Sequence, residues 1–288
     1  MKRYIFVNFK RFDIPAELGG VNRIAPVQAW ASQLVRTLET GLAARTEGAE
    51  AYEYVLFFPE AHLLGASLAK DPAAPFPMQI GAQGVHHQDT SVGGNFGAFT
   101  TSLSANAAAA LGARWVIIGH SEERAKYAQL LLSAGVSDDA AQRAIDSLLN
   151  KSVAAAVAAN LRVLFCIGER AEEVEQTEAV LRRQIETGLK GIDDSQVVLA
   201  YEPLWAIGPG KTPPSAQAIG EITSRIKAIR PLPVVYGGGL KEENAQQIGA
   251  IQHLDGGLIA LTRFSGEIGF YPDEYLEIVA HYQRGGTR

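Results

Sequence analysis

Two ionisable side chains stand directly after apolar runs that have the look of buried strands. Glu202 follows Val197-Val198-Leu199-Ala200-Tyr201, and His120 follows Val116-Ile117-Ile118-Gly119, with Ser121-Glu122 behind it. A charge in such a place is costly unless a partner or a chemical task retains it. Beyond Glu202 the chain reads Pro203-Leu204-Trp205-Ala206-Ile207-Gly208-Pro209-Gly210-Lys211. Small residues, a Trp anchor and proline stops are the composition of a flap that closes over a site. A base and an acid are thus expected at one end of a common sheet.

The elements that must hold them recur along the whole chain. Short apolar runs lie at 4–7, 52–57, 78–82, 115–118, 163–167, 197–201, 234–236 and 257–261. Between and after them come helix-like stretches at 27–42, 61–69, 103–111, 139–160, 172–190, 215–229, 242–248 and 273–282. Strands apolar on both faces, alternating with helices, imply a parallel sheet covered by helices. Eight such pairs, in a chain close to the roughly 250 residues usual for the fold, predict an α/β architecture, the closed (β/α)8 barrel. An open dinucleotide-binding sheet would carry Gly-x-Gly-x-x-Gly after its first strand, where this chain has Asn8-Phe9-Lys10-Arg11. No Pro/Gly/Ser-rich linker divides residues 1–288, so one domain is expected, with a disordered tail over 284–288. The segments 11–26 and 84–101 are long for loops of this kind and are candidates for function or assembly.

Residues just past the C-terminal ends of barrel strands face the active site. In order these are Asn8 and Lys10, Gln83, His120, Glu122, Glu169, Glu202, Gly237 to Gly239, and Ala260 onward. One cation, one imidazole and several carboxylates on one rim suit proton transfer beside a carbonyl, with an anionic substrate held by Lys10 and backbone N–H groups. The competing reading of Glu122 and Glu169 is a cap at a helix start, and for Glu169 that reading is the stronger. Lys10 taken alone reads as a solvated loop lysine. His86 and His87 are read as surface residues, because neighbours in extended chain point oppositely and no third ligand has suitable spacing for a metal. Cys166 is read as a small buried hydrophobe.

Bulk properties narrow the class. The formal net charge is −5 and the basic residues are dispersed, so neither nucleic acid nor a membrane surface is an expected partner. A single cysteine excludes an intrachain disulfide and fits a reducing, cytoplasmic setting. The first ten residues hold only about four apolar ones against the roughly 7–15 of a secretory signal, and no run reaches membrane-spanning length.

Asn8-Phe9-Lys10, Gly119-His120-Ser121-Glu122, Cys166-Ile167-Gly168-Glu169, the segment from Tyr201 to Lys211 and Tyr236-Gly237-Gly238 resemble, in order and spacing, the signatures of the triosephosphate isomerase family. Gly97-Ala98-Phe99-Thr100 resembles that family's dimer-forming third loop. The resemblance implies an aldose–ketose isomerase acting through an enediolate, with no cofactor and no metal, assembled as a homodimer around Thr100. Glu202 would be the base and His120 the electrophile, held as neutral imidazole by a helix N-terminus; this family is the standard illustration of such tuning. Lys10, beside Asn8, would balance the phosphate and the enediolate, and Glu122 would pair with Lys10 or relay protons. Residues 203–212, ending at Thr212, would be the lid; Ile207, Gly208 and Gly210 would reach the substrate, and closure would suppress phosphate elimination.

The chain departs from the pattern at the phosphate end. The family's Ser after Tyr-Gly-Gly is Gly239 here, and the lid hinge that would offer an N–H to Tyr236 is Pro213, which has none. The phosphate-binding Gly-Gly pair, at the N-terminus of a short helix, is Ala260-Leu261, while Arg263 is an added candidate anion partner. The third loop carries roughly six extra residues, and Ser102 replaces the usual acid after its tip. The expected substrate pair is glyceraldehyde 3-phosphate and dihydroxyacetone phosphate, bound by Asn8, Lys10, Ile207, Gly208, Gly210, Gly238, Gly239, Ala260, Leu261 and Arg263. A tetrulose-phosphate isomerase and a non-catalytic phosphosugar binder are the rival readings.

Overall fold

Every strand that the apolar runs predict is present, within about two residues at each end. The computed structural model describes residues 2–45, 51–74, 78–207 and 210–286. Its strands are β1 (Arg3–Asn8), β2 (Tyr52–Phe58), β3 (Gln79–Ala82), β4 (Trp115–Ile118), β5 (Arg162–Ile167), β6 (Val197–Tyr201), β7 (Val234–Tyr236) and β8 (Gly256–Ile259). All pair in parallel with their sequence neighbours, and β8 returns to β1, closing the barrel. The fold class expected from the sequence is the one observed.

Successive side chains on each strand point to opposite faces, which divides the core in two. Tyr4, Phe6, Val55, Phe57, Trp115, Ile117, Leu164, Cys166, Val198 and Ala200 fill the barrel interior. Their neighbours Ile5, Val7, Leu56, Val116, Ile118, Phe165 and Leu199 pack outward against the helices. The N-terminal mouth is closed by a charge pair packed on aromatic rings. Glu53 accepts from the Trp115 indole N–H at 2.8 Å and from Arg162 at 2.8 Å, and the Arg162 guanidinium lies 4.1 Å from the centre of the Trp115 ring. Paired in this way, the buried carboxylate leaves the other mouth as the open one.

The helices are α1 (Val27–Arg45), α2 (Leu63–Ala69), α3 (Ala105–Ala110), α4 (Ser121–Ser133), α5 (Asp138–Ala158), α6 (Thr177–Gly188), α7 (Ala216–Ile229), α8 (Glu242–Gly249) and α9 (Pro272–Gly286). Helix α4 is absent from the helix-like stretches of the sequence, although the resemblance implies a helix N-terminus at His120. It starts directly after His120, and its apolar residues do not form one stripe: Leu130 and Leu132 are exposed while Arg124 is buried. Arg124 reaches back from α4 to the carbonyls of Gly119 and Cys166 and pairs with the fully buried Asp146 at 2.7 Å, tying the ends of β4 and β5 to α5. The helix expected over 172–190 is split, a 3-10 turn at Ala171–Gln176 preceding α6.

Two further expectations are corrected. Residues 284–286 complete the last turn of α9, whose buried face includes Gly285, and so are helical where a disordered tail was expected; residues 287 and 288 lie outside the described chain. His86 and His87 do not point oppositely, because the backbone there is irregular and their rings lie 4.1 Å apart. Among the described residues no helix is long and apolar enough to cross a membrane.

Candidate active site

The open mouth holds a cavity of about 320 Å³ lined by Asn8, Lys10, Phe12, His120, Glu122, Glu202, Ile207, Gly237, Gly239, Leu240, Leu258, Ile259, Ala260, Leu261 and Phe264. The volume lies at the small end of ligand sites. Side chains from β1, β4 and β6, far apart in sequence, therefore meet in one pocket.

Glu202 is 3% exposed and its carboxylate lies 3.2 Å from His120 Nε2. Its backbone is fixed by an N–H bond to the Ile167 carbonyl, and glycines surround it because larger residues would collide. A methyl group on Gly168 would stand 1.8 Å from the Glu202 carbonyl oxygen, and one on Gly237 would stand 3.0 Å from Glu202 Cγ. Cys166, fully buried beneath, is the small apolar filler expected; burial first, then the Glu202 charge, push its thiol well above the ordinary range. It is not a thiolate nucleophile.

His120 is the N-cap of α4, and its Nδ1 accepts the backbone N–H of Glu122 at 3.5 Å. An imidazole that accepts at Nδ1 carries its proton at Nε2, and we assign the tautomer on that geometry. The Nε2–H therefore points at Glu202 and into the cavity. Helix α4, whose N-terminus the resemblance implies, is thus the element that orients the imidazole.

Lys10 adopts φ 42°, a left-handed backbone that costs free energy in any residue with a Cβ. Asn8 holds it there, its Oδ1 accepting the Lys10 N–H at 2.9 Å, while Gln83 Nε2 donates to the Lys10 carbonyl at 2.9 Å and to Asn8 at 3.2 Å. The ammonium that results sits 2.7 Å from Glu122, whose side chain is 63% exposed. The pairing expected of Glu122 is present. Gln83 was noted only as a rim residue; its hold on Lys10 has no signal in the sequence.

Glu169 is not a helix cap. It is 2% exposed and accepts from the Trp205 indole N–H at 2.7 Å and the Tyr201 hydroxyl at 3.0 Å, while its carbonyl receives the Leu204 N–H at 3.1 Å. A 3-10 turn at Leu204–Ala206, closed by the Ala206 N–H on the Pro203 carbonyl and standing where the first hinge of the expected lid falls, hangs from this carboxylate. Glu169→Ala is expected to cost about 1–3 kcal/mol for the donors left without an acceptor, read by urea denaturation. It should also lower kcat/KM by between about ten- and a hundredfold through misplacement of the lid. An unchanged denaturation midpoint would count against the anchor.

The end of the pocket expected to hold phosphate has a geometry of its own. Gly239 faces the far hinge, a methyl group there standing 3.6 Å from Pro213 Cγ, and the Tyr236 hydroxyl donates to the Gly238 carbonyl at 2.7 Å. Gly238 itself leaves no room for a side chain, since its Cβ would fall 2.4 Å from the Tyr236 hydroxyl oxygen. After Ile259 there is no short helix. Residues 262–269 form a hairpin in which the Thr262 and Arg263 N–H groups donate to Gly269 O and the Gly269 N–H to Arg263 O.

Arg263 is the main correction among the candidate ligands. Its guanidinium pairs with Glu274 on α9 and lies 3.9 Å from the centre of the Tyr271 ring, so it faces a neighbouring groove and does not line the cavity. Gly210 (φ 75°) and the exposed Lys211 and Thr212 lie outside the cavity lining as well, while Gly208 and Pro209 fall outside the described residues. Ala260 and Leu261 do line the cavity, as expected.

The sequence profile described as "Triosephosphate isomerase" matches residues 28–268. A triosephosphate isomerase of Synechococcus sp. (strain JA-3-3Ab) is 32% identical over 271 residues, covering 92% of this chain and 94% of the relative. One from Rhodopirellula baltica is 32% identical over 237 residues, covering 77% and 84%. The crystal structure of triosephosphate isomerase from Bartonella henselae superposes with a TM-score of 0.70 at 23% identity, over 98% of this chain and the whole of that one, a likeness of fold. The profile match and the long alignments agree with the pocket just described: the chain belongs to the triosephosphate isomerase family.

Proposed function

We propose that this chain interconverts glyceraldehyde 3-phosphate and dihydroxyacetone phosphate, the reaction its relatives are named for, through an enediolate. The observation that carries the reading is the approach of Glu202 to His120 Nε2 at 3.2 Å in the cavity that Lys10 also lines. Substrate entering between the two would exchange that contact for its own. The Glu202 carboxylate takes the proton from the carbon beside the carbonyl and returns it to the neighbouring carbon. The His120 Nε2–H donates to whichever oxygen carries the developing charge, and Lys10 offsets that charge. Asn8 and Gln83 position Lys10, and the backbone of Gly238, Gly239, Ala260 and Leu261 offers N–H groups at the far end, where barrels of this kind hold phosphate, the Gly237 N–H being spent on the Tyr201 carbonyl. The lid, drawn over the cavity by its hinge at Trp205, excludes water from the enediolate. The relatives described above carry the triose name, which favours this reading over a tetrulose-phosphate isomerase or a silent binder. A coupled assay with glyceraldehyde 3-phosphate tests it, and absence of turnover would overturn it.

The assembly we propose is a cytoplasmic homodimer through the third loop. At its tip Val92 and Phe96 are almost fully exposed, yet the loop is braced by Asn95 Oδ1 accepting the Gly97 and Ala98 N–H groups and by Asp89 Oδ2 accepting the Asn106 N–H. An ordered loop with two large apolar side chains in water is suited to burial against a partner. Sedimentation equilibrium should give twice the chain mass for the parent and a monomer for Phe96→Asp; a monomeric parent removes the proposal.

A further inference from the structure

We propose that Phe264, carried on the 262–269 hairpin, is the wall that limits substrate length, and that Lys241 behind it is the cation the phosphate of a longer substrate would meet. The inference rests on the activity proposed above.

Phe264 lines both the catalytic cavity of about 320 Å³ and a groove of about 650 Å³ between α8 and α9, and among the described residues it is the only one the two share. The ring therefore stands as the partition between them. It is held in place from both sides. The hairpin is pinned to α9 by Thr262 Oγ1 and the Arg263 guanidinium, both on Glu274, and to the residue just before α9 by the Tyr271 N–H on Thr262 Oγ1 at 2.9 Å. From the groove side the Lys241 ammonium rests 4.5 Å from the ring centre, a cation–π contact that joins the loop after β7 to the loop after β8.

Chain length is measured from a fixed origin. Glu202 and His120 must act on the first two carbons, so the opposite wall sets how many more carbons fit before the phosphate. That wall is Leu261 and Phe264, side chains where a binding site for a bulkier anion would need open backbone. On the groove side the cations are matched except one, and Glu243 likewise has no ion pair among the described residues. Arg263 is taken by Glu274 and His281 faces Glu242 at 3.9 Å, while Lys241 has no carboxylate within 4 Å among the described residues. A phosphorus atom placed at the ring centre would bring one oxygen to about 3 Å from Lys241 Nζ, within reach of a charge-assisted hydrogen bond.

The test compares kcat/KM for glyceraldehyde 3-phosphate and erythrose 4-phosphate in the parent, in Phe264→Ala and in Phe264→Ala/Lys241→Met. We expect the four-carbon to three-carbon ratio to rise about tenfold or more in Phe264→Ala, the discrimination a pocket gives one carbon unit. The gain should disappear in the double variant. An unchanged ratio in folded Phe264→Ala overturns the wall, and a gain that survives loss of Lys241 overturns the role of the cation. Should Phe264→Ala fail to fold, Phe264→Leu is compared with the parent for inhibition by 4-phosphoerythronate against 2-phosphoglycolate; a shift toward the longer anion supports the wall and no shift refutes it. A parent without triose turnover defeats the underlying activity, and the wall with it, an outcome distinct from an active parent with an unmoved ratio.

Discussion

Replacing Glu202 by Gln is expected to lower kcat by about 10³- to 10⁴-fold while an anionic inhibitor such as 2-phosphoglycolate still binds within a few-fold of the parent. The substitution keeps the shape and removes the base. Because the side chain is buried with its Cγ against Gly237, and its backbone is packed on Gly168, the amide stays where the carboxylate was, and the pocket is not remodelled. Glu202→Asp separates two contributions that Gln cannot. It retains the base but withdraws it by one methylene from a position that the backbone bond to Ile167 fixes, so the loss should be about a hundredfold, set by placement and not by basicity. Steady-state rates with an inhibition constant alongside distinguish the cases. A loss confined to KM in either variant would place Glu202 in binding and remove it from proton transfer.

The reason this residue was legible in the sequence is also the reason others were not. Glu202 and His120 announce themselves because a charged or titratable group follows a run of buried apolar residues, and eight such runs fix a barrel before any contact is known. What escaped depends on pairings across the fold. The role of Glu169 becomes visible only when Trp205, far along the chain, hangs from it. Arg263 was judged by its place after β8, but Glu274, one turn into α9, claims its charge. No apolar period marks helix α4, because its motif residues face the site and its buried face contains Arg124, so only the resemblance points to a helix start at His120. Phe264 and Leu240 carry no chemical signal in the sequence for a simpler reason: they are apolar side chains, although a small cavity is shaped by such residues.

Lys10→Met should separate function from stability more sharply than any other single change. Activity is expected to fall about a thousandfold in kcat/KM, with kcat lowered and KM raised, because in the proposed mechanism one side chain serves both the anionic end of the substrate and the charge of the intermediate in a site shielded from water. Stability, by contrast, should change by less than about 1 kcal/mol. The partner lost is Glu122, whose carboxylate is largely exposed, and an ion pair that water can replace contributes little to folding. The left-handed backbone at position 10 is equally unfavourable for Met and Lys, so the strain held by Asn8 and Gln83 cancels from the comparison. Glu122→Gln supplies the control: if that carboxylate only steadies the ammonium, kcat should fall less than about tenfold with an unaltered pH profile. Kinetics and urea denaturation on the two variants decide the matter. A Lys10→Met protein that melts early would mean that the strained lysine is there for the fold, and a Glu122→Gln loss as large as that of Lys10→Met would move Glu122 into the proton path.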